Sequence, residues 1–416
     1  MVEPNLYFWT ILATVVGIYL LDLISEVLNL KALDPELPEE FKDVFDREKY
    51  SKSQQYTRVT ARFGFLESAF GLALFLAFWM LGGFGWLNDI VMSWSGNTVV
   101  RGLLFFGLLY IASEIISLPF ELYDTFKIEA RFGFNKTTPA TFFGDKLKGL
   151  LLATLLGGPI IALLLWLFAA VPNAWLWGWI AVTAFSLLMA YLAPAVILPM
   201  FNKFEPLEDG ELKSEINSMA EKCEFPLTEL SVMDGSKRSS KSNAFFTGFG
   251  KNKKIALYDT LVENHTVPEL VAVLAHEIGH FKKKHIVQTM VLGFAQTAVL
   301  FFLLGFFVNS APLSAAFGVA PPQIYCSFLF FAMLFKPISK VLSILMSILS
   351  RKNEFEADAY AAEVTGSSTP LVTALKKLSS DNLSNLTPHP FYVFMHYSHP
   401  PMFERLAALR EAGAES

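Results

Sequence analysis

Seven stretches of this chain, at 6–27, 65–86, 103–122, 150–171, 175–201, 286–308 and 325–349, are long and almost wholly apolar. A helix of about 20 apolar residues crosses the roughly 30 Å hydrocarbon core of a bilayer. In lipid, only helices and closed barrels satisfy every backbone N–H and C=O. The expectation is an α-helical membrane protein with seven transmembrane helices. Composition agrees, since 53% of the 416 residues are hydrophobic and only 17% are charged, too few polar groups to clothe a soluble surface. The first stretch lacks a basic lead and a small-residue cleavage site, so it reads as a retained span rather than a signal peptide. A net charge of −5 without a clustered basic face excludes nucleic acid as a partner. Cys223 and Cys326 make neither a disulfide framework nor a Cys-based zinc knuckle, so a metal here would be held by His and carboxylate.

The polar segments between spans alternate in basic content, the feature that sets orientation. Residues 31–62, the loop bearing Lys127, Arg131, Lys136, Lys146 and Lys148, and residues 203–284 are rich in Lys and Arg, and the other turns are nearly empty of them. This predicts an N-terminus outside, with the large polar segments and the C-terminus cytoplasmic. The membrane would be the inner membrane of a bacterium or the endoplasmic reticulum of a eukaryote. Four regions follow: spans one to five with their loops (1–201), a polar insert (202–285), spans six and seven (286–350) and a C-terminal segment (351–416). Within the insert, 211–223 reads as helix, 229–233 and 255–258 as strands, and Pro268 opens a second helix, giving a small α+β domain. The last segment reads as a helix through Ala362, a Pro-containing loop and a final helix.

His276-Glu277-Ile278-Gly279-His280, in the helix that Pro268 opens, is an H-E-x-x-H motif. Residues four apart share a helical face, so both imidazoles can reach one metal ion. Glu277, offset by about 100°, is placed to take a proton from an attacking water. Zinc suits two neutral imidazoles and a carboxylate, with a fourth position open for catalysis. Glu354 and Asp358, one helical turn apart, can supply the carboxylate and a supporting group behind a histidine. On spacing alone, Glu356 or Glu363 could equally be the ligand. His285 and His396 fit no ligand spacing and read as structural or interfacial.

The chain resembles the CAAX prenyl protease 1 family, integral membrane zinc endopeptidases that remove the last three residues of prenylated CAAX proteins. The likeness is carried by 53–56, by Arg131-Phe132-Gly133-Phe134-Asn135 with Thr138 and Asp145, and by Asp234 to Ser239 with Ser242-Asn243-Ala244. The zinc motif, Glu354 to Asp358, and Ser398-His399-Pro400-Pro401 with Glu404-Arg405-Leu406 extend it. The resemblance implies one Zn2+ per chain on His276, His280 and Glu354, Glu277 as general base, and Asp358 as the supporting carboxylate. It implies that Asn243 and Ala244 belong to an edge strand that pairs with an extended substrate, and that His399 or Arg405 donates to the oxyanion. Taken alone, Asn243 reads as a turn residue and His399 as a loop histidine. The family also implies that the spans enclose a large water-filled chamber with the zinc site at its cytoplasmic side.

The partners expected are a lipid bilayer and a peptide or protein substrate, prenylated or otherwise membrane-associated. A quality-control protease acting on non-prenylated chains would use the same chemistry. A transporter or channel with a structural zinc would need a closed set of four ligands, and the sequence offers three. Asp22, Glu67, Glu114 and Lys336 lie in or near apolar runs, where a lipid-facing charge costs about 2.5 to 3.5 kcal/mol. These four are expected to face inward.

Overall fold

The structure is a computed structural model, and it describes residues 1–247 and 253–414. Seven of its helices are long and apolar enough to cross a bilayer: Leu6–Lys31, Arg47–Met80, Thr98–Phe132, Pro139–Ala170, Ala174–Phe201, His285–Phe307 and Ile324–Thr365. All seven predicted spans are helical. Their ends differ where helix-forming sequence runs past the apolar run. The second begins at Arg47, well before Phe65, and stops at Met80 because Gly82 turns left-handed (φ 81°), so 83–86 open a separate helix, Gly83–Trp94. Short π-helical turns at Ala153–Gly157 and Ala193–Ile197 lie just before Pro159 and Pro199. There the proline ring crowds the carbonyl four residues upstream.

Helices over Glu211–Lys222 and Val267–Lys282 carry the insert, as expected. Its sheet has four strands, two more than the pattern predicted: β1 (Phe204–Pro206), β2 (Leu227–Met233), β3 (Ala244–Thr247) and β4 (Lys253–Tyr258). The order is β1-β2-β4-β3, with β2 and β4 parallel and the outer pairs antiparallel. Leu230, Ile255 and Leu257 of the sheet pack with Leu270, Leu274 and Ile278 of the H-E-x-x-H helix in one buried core.

The seventh span does not end at the membrane. It runs unbroken for 42 residues to Thr365, where Gly366 (φ 73°) stops it, so at 1.5 Å per residue it is about 63 Å long. Twice the hydrocarbon thickness, it carries Glu354 and Asp358 out of the bilayer on the same rod. Where the sequence pattern predicts a loop, a further helix, Thr369–Asp381, forms, and its Leu371, Ala374 and Leu375 join the insert core.

Two of the four charges in apolar runs are paired between spans. Glu114 meets Lys146 at 2.9 Å, and Asp22 meets Lys340 at 2.8 Å. Glu67 and Lys336 are exposed. The spans bury little of themselves: in each one's most apolar window, 0 to 17% of the residues are buried.

Candidate metal centre

A capping box fixes the start of the H-E-x-x-H helix. Thr266 and Glu269 satisfy each other's orphan N–H groups, and Lys377 holds Glu269 at 2.8 Å. Further along, Gly279 lies against the seventh span's extension. A Cβ built at Gly279 would sit 3.1 Å from the Ala357 Cα and 3.2 Å from its carbonyl oxygen, so only glycine allows this approach without displacing backbone. The close crossing brings Glu354 over the two motif histidines.

The three ligand candidates converge. His276 Nε2 and His280 Nε2 are 3.1 Å apart, and Glu354 places its carboxylate oxygens 3.5 Å from the first and 3.4 Å from the second. Ligand atoms held tetrahedrally at about 2.0 to 2.1 Å from one ion would be separated by roughly 3.3 Å, so the spacing suits zinc. Glu354 Oε2 is buried yet makes no hydrogen bond of ordinary geometry to the protein. It is an acceptor with an uncommitted lone pair, aimed between two imidazoles. Burial alone would keep His276 neutral, but the carboxylates of Asp358 and Glu354 close beside it outweigh that and push its pKa up to about 9. The surroundings therefore favour positive charge at this point, which a metal cation supplies. Glu356 and Glu363, the rivals on spacing, are elsewhere: Glu356 pairs with His285, and Glu363 is exposed.

Behind His276, Asp358 Oδ1 lies 2.8 Å from Nδ1, on the side where a carboxylate supports a ligand histidine. Asp358 is gripped by Arg405 in a two-point contact, Nε to Oδ2 at 2.8 Å and Nη2 to Oδ1 at 2.6 Å. Arg405 Nη1 is also 3.4 Å from Glu354 Oε2, so one buried guanidinium spans both carboxylates. His399 comes from the loop before the last helix, its Nε2 3.5 Å from Glu354 Oε1 and its side chain 65% exposed.

A cleft of about 400 Å³ opens over this group, lined by His276, Glu277, Glu354, His399 and Arg405 on one side and by Asn243 and Ala244 on another. Burial raises the pKa of Glu277, the direction a base acting near neutrality requires. Among the described residues β3 is an edge strand. Tyr258 N donates to the Asn243 carbonyl at 3.1 Å, so antiparallel alternation turns the Ala244 N–H and C=O away from β4. The segment before β3 is clamped to the membrane part by Arg238 on Asp145 (2.8 Å) and Lys241 on Glu129 (2.9 Å).

Two family models cover nearly the whole chain: CAAX prenyl protease N-terminal, five membrane helices, over residues 26–203, and Peptidase family M48 over 206–413. CAAX prenyl protease 1 of Saccharomyces cerevisiae is 39% identical over 91% of this chain and 89% of its own length. The homolog from Oryza sativa is 36% identical over 98% of both. The chain belongs to the CAAX prenyl protease 1 family. Its fold matches the crystal structure of S. mikatae Ste24p with a TM-score of 0.90 at 36% identity, over 97% of this chain and 99% of that one. A CAAX prenyl protease 1 family member is a multi-pass membrane metalloprotease.

His285, which fits no ligand spacing and reads in sequence as structural or interfacial, has its Nδ1 3.0 Å from His280 Nδ1. The signal that could have found it is the break between two helices, at Lys283 and Lys284, directly after the motif.

Proposed function

We propose that this chain hydrolyses peptide bonds near the C-terminus of prenylated CAAX-type or related membrane-associated polypeptides, using one zinc ion on His276, His280 and Glu354. The observation that carries the reading is that His276, Glu354, Glu277 and the free edge of β3 all border one cleft, with His280 converging on the same point as His276 and Glu354. Bound there, zinc supplies Lewis-acid polarisation of the scissile carbonyl and makes water a nucleophile near neutral pH.

The chain's own groups do the rest. An extended substrate adds to β3 through the outward Ala244 N–H and C=O, bonds that do not depend on side-chain identity. Asn243 Oδ1 accepts from the Ala244 N–H at 2.8 Å and would give way to the substrate's carbonyl. Glu277 takes the proton of the attacking water and returns it to the leaving amine. His399 is exposed in the cleft and free to donate to the oxyanion. Arg405, with two nitrogens committed to Asp358, contributes fixed positive charge and holds Asp358 and Glu354 in place.

The test is cleavage by the purified, zinc-loaded protein of a farnesylated CAAX peptide and of its unprenylated twin. Release of a C-terminal tripeptide from the first, with much slower turnover of the second, is expected. Equal turnover of both would favour the quality-control reading, and no cleavage of either would remove the proposal.

The reading extends to the membrane part. Spans that bury so little of themselves, with charges paired between them at Glu114 and Lys146, suit walls around water with the metal centre on the cytoplasmic side. With Cys223 and Cys326 replaced, Glu114→Cys should react with a small water-soluble thiol reagent in active protein. Full protection would mean lipid or packed protein there, and no hydrated chamber at that depth.

A further inference from the structure

The nitrogen of His280 that faces away from the ligand cluster has its own partner. His280 Nδ1 is 3.0 Å from His285 Nδ1, and His285 Nε2 is 3.2 Å from Glu356 Oε2. His285 is 5% exposed, and its ring stands at 70° to that of His280. We infer that His285, oriented by Glu356, is a positioning residue for the metal ligand His280: it accepts the Nδ1 proton and so fixes the tautomer that leaves Nε2 free for zinc. This rests on the zinc reading given above and adds residues to it.

The direction of every bond in this chain follows from the first. A neutral imidazole has one N–H, so ligation through Nε2 leaves the His280 proton on Nδ1. Two Nδ1 atoms 3.0 Å apart share one proton between them, which makes His285 Nδ1 the acceptor. The His285 proton is then on Nε2, where the Glu356 carboxylate accepts it. The two histidine ligands are thus supported differently, His276 by an anion pinned with Arg405 and His280 by a neutral ring that is itself held by a carboxylate nearer the surface.

The backbone is built for the contact. In a continuous helix, positions 280 and 285 would be about 140° apart and could not face each other. The H-E-x-x-H helix ends at Lys282, Lys284 is left-handed (φ 61°), and His285 starts the sixth span. That conformation is strained for a lysine, and it folds His285 back under His280. Glu356, two residues beyond Glu354 on the seventh span's rod, points to this side instead of into the cleft.

The experiment is zinc retention against a competing chelator, together with the visible spectrum of the cobalt-substituted full-length protein, for His285→Phe, His285→Asn and Glu356→Ala. His285→Phe keeps a ring and loses the acceptor, and it should bind zinc about 10- to 100-fold more weakly and shift the cobalt bands. His285→Asn restores an acceptor oxygen near the Nδ1 position and should recover most of both. Wild-type zinc affinity in His285→Phe, or an Asn variant as weak as the Phe variant, would overturn the inference. Should His285→Phe not fold, Glu356→Ala decides: weakening supports the chain, and unchanged affinity breaks it. Failure of the wild-type protein to take up stoichiometric zinc would bring down the metal centre itself, a different result from any of these.

Discussion

Replacing Glu277 with glutamine should leave zinc stoichiometric and lower peptide cleavage by about 100- to 10,000-fold, the range that a general base contributes. The amide fills the same space on the wall of the cleft but cannot accept a proton. Neither ligand histidine is touched, so metal content should not follow activity. His276→Ala or His280→Ala should lose both together. Metal analysis beside a single-turnover assay separates the two classes, and near-normal turnover in Glu277→Gln would end the assignment of this residue as base.

The second large effect belongs to Glu354. On the proposed assignment its removal takes away one of three protein ligands and leaves Arg405 Nη1, now 3.4 Å from a carboxylate, facing the metal position instead. Glu354→Ala is therefore expected to be isolated with little or no zinc and no activity, while Glu363→Ala keeps both. Asp358→Asn should be milder, about 10- to 100-fold in metal affinity, because Arg405 and the His276 Nδ1 proton lose a charged partner but the ligands remain. Full zinc occupancy in Glu354→Ala would move the ligand assignment elsewhere.

The membrane part was open to reading because each span is a long apolar run between polar loops, a signal that survives errors of several residues at either end. The metal motif was equally plain, since two imidazoles four apart on a helix have few other uses beside a glutamate. Harder was everything that depends on where the chain doubles back. The helix Thr369–Asp381 carries a start signal in Ser368-Thr369-Pro370 and apolar residues at Leu371, Ala374, Leu375 and Leu378, the spacing of one helical face. The polar block around it masks that face. β3 is too short for its alternation to separate it from a loop, and only family likeness pointed to Asn243 and Ala244. The role of Arg405 is hidden in sequence, because its partners Asp358 and Glu354 lie about fifty residues away and share no local pattern with it. Choosing Glu354 over Glu356 also required three dimensions: on one helix both are plausible ligands, and the crossing at Gly279 decides which of them meets the histidines.

The unbroken 42-residue helix joins the membrane part to the candidate metal centre with no intervening loop. No loop separates the apolar half of that rod from Glu354, while His276 and His280 sit on the insert helix that crosses it. Gly279 gives almost no slack at the crossing. The insert, cut free of the spans, would leave the Glu354 ligand candidate behind.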